Sequence, residues 1–410
     1  MSSALQRALS PASLGALELR NRLIKSGTYE GKTPDGIPGQ LLKDFHMAIA
    51  EGGIGMTTIA YCATEADGRI EDQMMYMHEA IRPNLVSLIN DLQSTGARVS
   101  GQMAHCGYFS KNRSLQRLKR PQSASRQFNV VGFPAGIPFG DAMTIGDIDY
   151  LVQTFHDAAA FMKSVGFDAI EIHAGDGYGI SQFISPKTNR RTDEFGGSVR
   201  NRMRLPMRVV EAVRKAVGDE IPILVKMNLT DGPRDGLRED EAVVCARYFD
   251  QSGADALILS GGSSHHDPMK IFRGPSMVDG LVQNETNLLA KAGMKIAGSA
   301  FFKDYPYEEL YHRDGYQRVR DVVACQLVYI GGCHTMRSLE QVMQDGIDFV
   351  QLGRPLLADP AFANNAKAAL EKGTPYAYHC GCTNCNRCVP LVYAPGGCRC
   401  IELEEKAIGG

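Results

Sequence analysis

From about residue 20 onward, short runs of β-branched and aliphatic residues alternate with longer stretches in which apolar residues return every three or four positions. Runs of the first kind predict strands, and stretches of the second kind predict helices with one buried face. The strand candidates are Arg22 to Lys25, Gly55 to Ala60, Ala97 to Met103, Ala169 to His173, Ile221 to Met227, Ala256 to Ser260, Leu327 to Ile330 and Phe349 to Leu352. Helical stretches such as Asp149 to Ser164 and Arg202 to Val217 lie between them. Eight strands separated by helices predict an α/β fold, the closed (β/α)8 TIM barrel. A doubly wound sheet would carry a GxGxxG turn after its first strand, and Asn21 to Gly27 contains none. Long insertions, His105 to Asp147 and Gly262 to Val319, are rich in Gly, Pro, Ser and aromatic residues. Loops of that length read as lids or substrate walls, with subunit contacts as the plainer alternative. The expected organisation is a barrel over residues 1–370 and a short cysteine-rich C-terminal extension over 371–410.

Composition narrows the function. With 410 residues, 44% of them hydrophobic, the chain can bury one large core. A net charge of −2 gives no polyanion footprint, so nucleic acid is not expected as a partner. Met1 to Arg22 lacks a long apolar segment, and no run of about 18 apolar residues occurs. The expectation is a soluble, cytoplasmic protein without a membrane partner, acting on a small molecule and open to homo-oligomerisation. Cys62, Cys106, Cys245, Cys325 and Cys333 are scattered through apolar or helical stretches and read as reduced thiols.

Several strands end in polar or glycine residues, namely His173, Lys226, Gly261, Gly331 and Gly353. A barrel gathers such residues on its C-terminal face, where barrel active sites are built. Gly331 and Gly332 after the seventh strand, with Gly353 and Arg354 after the eighth, suit a phosphate monoester through freed backbone amides and a guanidinium fork. Tight turns are the structural alternative.

The stretch from Glu171 to Ser198, EIHAGDGYGISQFISPKTNRRTDEFGGS, resembles the signature of the Old Yellow Enzyme or NADH:flavin oxidoreductase family. Asn21-Arg22 near the start, Gly101-Gln102 at the third strand, Lys226 and Gly353-Arg354-Pro355 agree in order, so the resemblance spans roughly residues 10–370. It implies a barrel that holds FMN noncovalently, is reduced by NAD(P)H and is reoxidised by an activated alkene. By the same resemblance Ser26, Gly27 and Thr28 meet the flavin at the first strand's end. Gln102 takes the pyrimidine edge, Lys226 stabilises the reduced ring, with a salt bridge inside the barrel as its structural alternative, and Gly332, Gly353 and Arg354 take the phosphate. His173 is implied as donor to the substrate oxygen and Tyr178 as proton donor to carbon.

Three positions depart from the family. Asp176 stands where the family has His or Asn, and an ionised carboxylate accepts hydrogen bonds rather than donating them. Either burial protonates it, or the substrate carries a cation or donor there. Tyr29 and Tyr61, the latter at the flavin pocket, aromatise a site usually lined by smaller residues. Ene-reduction is therefore the leading reading; FMN-dependent oxidation or demethylation of an amine is the second, and a non-catalytic flavin-binding barrel the third.

Six further cysteines crowd the C-terminus. Cys382, Cys385, Cys388 and Cys400 nearly reproduce the cluster-binding run of the dienoyl-CoA reductase and trimethylamine dehydrogenase branch, one residue short between the second and third. That branch continues into a further nucleotide-binding domain beyond the length of this sequence. Free thiols at a degenerate site are the expectation, with a [4Fe-4S] cluster second and zinc third.

Overall fold

In the computed structural model, which describes residues 2–408, eight parallel strands close into a barrel. They are β1 (Leu23–Lys25), β2 (Met56–Ala63), β3 (Arg98–Ala104), β4 (Ala169–Ala174), β5 (Ile223–Asn228), β6 (Ala256–Ser260), β7 (Gln326–Tyr329) and β8 (Phe349–Leu352). Each strand pairs with its neighbours in sequence, and β8 returns to β1 through Val350 opposite Leu23. The outer helices are α1 (Gln40–Glu51), α2 (Arg82–Ser94), α3 (Ile145–Ser164), α4 (Arg204–Val217), α5 (Glu239–Gln251), α6 (Arg313–Arg320), α7 (Met336–Gln344) and α8 (Phe362–Glu371). The TIM barrel expected from the periodicity is the fold.

The two-residue period of a strand sorts the core into layers. Leu23, Val99, Ile172, Val225, Leu257 and Val350 face outward into the helix layer. Ile24, Met56, Ala169, Leu224, Ile258, Val328 and Phe349 face inward. Leu14 and Leu19, on a hairpin of Ala12–Leu14 and Leu17–Leu19, pack against this inner set and plug the lower mouth. Two positions further along the same faces stand Ser26, Glu171, Lys226 and Gln351, with Gln102 beside them. The barrel is therefore apolar at its base and polar towards its C-terminal end.

Element boundaries shifted for local reasons. α3 starts at Ile145, ahead of the expected Asp149, because Thr144 and Asp147 form a reciprocal capping box. β2 runs past Ala60 to Ala63, with a register shift between Ile59 and Cys62 that carries Tyr61 into the strand. The insertion after β3 holds a small three-stranded sheet, and the one after β6 holds three helices. All eleven cysteines are free thiols. Among the described residues, no helix is long and apolar enough to cross a membrane.

Candidate active site

Parallel register brings the strand-end residues together. Gln102 stands opposite Glu171, and Lys226 opposite His173, so β3, β4 and β5 present these side chains side by side. Glu171 was not among the sequence candidates, yet it organises the layer. Its Oε1 accepts a hydrogen bond from Gln102 Nε2 at 2.6 Å and lies 3.3 Å from Lys226 Nζ. Lys226 Nζ also donates to Ser26 Oγ at 3.3 Å, closing the layer against β1. Gly27 follows; a Cβ there would lie 2.6 Å from Gln102 Nε2, which explains a residue without a side chain. Thr28 Oγ1 donates to Glu30 Oε1 at 3.0 Å, and the Lys25 ammonium pairs with the same carboxylate on the helix side of β1.

The next layer up holds the reactive groups. The rings of His173 and Tyr178 are tilted against each other with centroids 4.3 Å apart. Burial, and then the nearby Lys226 charge, hold His173 well below the usual imidazole range, so the ring is neutral, and its buried Nδ1 has no hydrogen-bond partner. Burial, reinforced by Asp176, raises the Tyr178 phenol, which stays protonated at working pH. Asp176 sits at φ 53°, a left-handed conformation that Asp tolerates better than most residues. Its amide donates to Asn228 Oδ1, and its Oδ1 accepts from Ser260 Oγ, both at 2.9 Å. Burial pushes its carboxyl up to about 6, against the lowering influence of Lys226 and the Ser260 hydrogen bond. The other oxygen, Oδ2, faces His173 Nε2 at 3.8 Å.

An aromatic wall closes one side. Tyr61 packs on Tyr178 with centroids 5.5 Å apart, and its hydroxyl donates to the Gly68 carbonyl at 3.0 Å, so it serves as a surface rather than a free donor. Phe109 packs on Tyr178 at 6.2 Å and on His265 at 5.2 Å. Tyr108 packs edge-on against His265 at 5.0 Å, and with Phe109 and His265 it lies in the two long insertions, where no period marks a buried face. Ser264 N donates to the Asp176 carbonyl at 2.9 Å, which ties the insertion carrying His265 to the loop carrying Tyr178.

At the opposite side, Gly332 and Gly353 each lie three residues beyond a paired position, Tyr329 on β7 and Val350 on β8. Gly332 has φ 74°, and a Cβ on Gly353 would meet no atom within 4 Å, leaving its face open. Arg354 opens the short helix Arg354–Ala358; its Nη1 donates to the Arg273 carbonyl at 3.0 Å and to Asn386 Oδ1 at 2.5 Å. Asn386 belongs to the cysteine-rich segment, which crosses the rim: Cys398 N donates to the Glu30 carbonyl at 2.8 Å and Lys32 Nζ to the Gly396 carbonyl at 2.6 Å. Cys382, Cys385, Cys388 and Cys400 line one cavity of about 20 Å³ with Arg354. Among the described residues, no group of three or more His, Cys, Asp or Glu is arranged to hold a metal ion.

These residues fit FMN by their chemistry. An ammonium suits the ring's carbonyl oxygens and an amide oxygen its imide N–H, a guanidinium beside the open face of Gly353 suits a phosphate, and the unpartnered His173 Nδ1 shows polar capacity unspent within the protein.

The profile of the NADH:flavin oxidoreductase / NADH oxidase family matches residues 9–296. The chain is 34% identical over 400 residues to a 4,4'-dithiodibutanoate disulfide reductase of Rhodococcus erythropolis, covering 97% of this chain and 95% of that protein. It is 30% identical to a metal reductase of Desulforamulus reducens over 97% of its own length, but spans only 53% of that relative. An old yellow enzyme homologue from Zymomonas mobilis shares the fold, with a TM-score of 0.67 at 18% identity, over 90% of this chain and 93% of that one. The chain belongs to the NADH:flavin oxidoreductase / NADH oxidase family, and is an oxidoreductase that carries FMN and draws its electrons from NAD(P)H.

Proposed function

We propose that the enzyme reduces an activated alkene, one conjugated to a carbonyl or nitro group. The observation that carries this reading is the neutral His173 ring 4.3 Å from the protonated Tyr178 ring, on one side of the barrel mouth. Bound FMN supplies the hydride it has taken from NAD(P)H. His173 donates a hydrogen bond to the substrate's carbonyl or nitro oxygen, where negative charge builds up, and the surrounding apolar rings strengthen it by excluding water. Tyr178 delivers the proton to the carbon alpha to that group. Ser26, Gly27, Thr28, Gln102 and Lys226 hold the flavin ring, Tyr61 walls the pocket, and Gly332, Gly353 and Arg354 take the phosphate. Asp176 modulates the site: protonated, it adds a donor beside His173; ionised, it opposes the developing charge.

A second reading is favoured by the extent of the match to the disulfide reductase. In that reading a dialkyl disulfide accepts the hydride, the S–S bond breaks, and one further proton, from Tyr178, completes two thiols. Enzyme reduced anaerobically with NADPH and mixed with acceptor separates the readings. Return of the flavin colour with 2-cyclohexenone, at least a hundredfold slower in Tyr178→Phe, supports the first. Return with a disulfide alone supports the second. Bleaching of the oxidised enzyme by an N-methylated amine, with no response to either acceptor, would remove both.

A further inference from the structure

Glu171 has no part in the proposed chemistry, yet it is fully buried in the barrel two residues before His173. Its Oε1 receives Gln102 Nε2 at 2.6 Å and faces Lys226 Nζ at 3.3 Å, while its Oε2 receives Gln351 Nε2 at 2.6 Å. Side chains from β3, β5 and β8 thus converge on one carboxylate from β4. We propose that Glu171 is a positioning residue for the flavin: it sets which end of the Gln102 amide faces the mouth, and it offsets the Lys226 charge so as to lower the flavin's reduction potential. This rests on the reading that Gln102 and Lys226 meet the flavin ring.

An ionised carboxylate only accepts hydrogen bonds, so Gln102 must turn its NH2 toward it and keep its carbonyl oxygen for another donor. The imide N–H of the flavin's pyrimidine edge is such a donor. Gln351 shows the same constraint, its NH2 spent on Glu171 and its buried Oε1 left without a partner. An unopposed ammonium would favour the negative charge that the ring gains on reduction, and a carboxylate 3.3 Å from that ammonium cancels part of its field. The pair therefore places the flavin's potential below the value that lysine alone would give.

The experiment compares Glu171→Gln, Lys226→Met, the double variant and Gln102→Leu. Each is read by the potential of bound FMN in dye equilibration, by FMN affinity in fluorescence titration and by melting temperature. E171Q is expected to shift the potential positive and K226M negative, with the double variant near wild type. Q102L and E171Q are each expected to bind FMN about tenfold more weakly, the worth of one hydrogen bond. A lower melting temperature in E171Q with unchanged potential makes Glu171 merely structural and overturns the proposal. If K226M and Q102L also leave potential and affinity unchanged, the placement of the flavin falls with it. Should E171Q not fold, Glu171→Asp withdraws the charge from both partners on a shorter arm; it is expected to weaken FMN binding and to shift the potential positive, and unchanged affinity and potential there overturn the proposal.

Discussion

Asp176, on the loop after β4, accepts a hydrogen bond from Ser260 at the end of β6, 2.9 Å away across the barrel mouth. The bond holds a carboxyl pushed up to about 6 beside the neutral His173 ring. Ene-reduction should therefore weaken as pH rises through about 6, where Asp176 ionises and opposes charge on the substrate oxygen. In Asp176→Asn, kcat/KM for 2-cyclohexenone should be flat between pH 5 and 8; a decline matching wild type would assign the titration to another group.

The same carboxyl carries a stability signature. Burial raises its folded value above the ordinary aspartate range to about 6, so the folded state binds the extra proton between about 4 and 6. Stability is full below that window and is lost as pH rises through it, by about 3 kcal/mol. Asp176→Asn should then unfold at higher urea than wild type at pH 7 and lose this advantage near pH 4.

Tyr178→Phe keeps the ring against His173 and Tyr61 but removes the phenolic proton. NADPH should bleach the flavin at the wild-type rate, while reoxidation by an enone slows by about a hundredfold or more. Stopped-flow measurement of the two half-reactions checks this; equal slowing of both would point to a displaced flavin instead.

Gly27→Ala brings a methyl to 2.6 Å from Gln102 Nε2, which Glu171 holds in place. Gln102 must give way, and FMN affinity should fall about tenfold, one hydrogen bond's worth. Titration of the apoenzyme with FMN reads the loss.

At the other end of the barrel, Leu14→Ala empties a fully buried position in the hairpin plug. It should cost about 3 kcal/mol in urea denaturation and leave FMN affinity unchanged, because the cavity opens at the face opposite the proposed flavin site.

The strands, the barrel and the placement of His173, Asp176, Tyr178, Gln102 and Lys226 were legible in the sequence, since each sits in or just after a run of strand-forming residues. Glu171 falls within the signature, but a polar residue alternating with apolar neighbours in a strand reads like an exposed face. Only barrel closure shows that the face it occupies is the interior. Tyr108, Phe109 and His265 come from insertions whose path is set by contacts with each other and with the Tyr178 loop, and no periodicity encodes such contacts. Tyr61 reads as a pocket residue just beyond a strand predicted to end at Ala60; the bulge that extends β2 is invisible to a two-residue period.

The cysteine-rich segment also joins loops that most barrels leave independent. Through Cys398 and Gly396 it is fastened to the loop after β1, and through Asn386 to Arg354 and to Pro275 of the β6 insertion. Three walls of the entrance are thus laced by one ribbon, so widening the entrance means loosening that ribbon. Engineering for bulkier acceptors would start at these few lacing contacts and leave the reactive residues untouched.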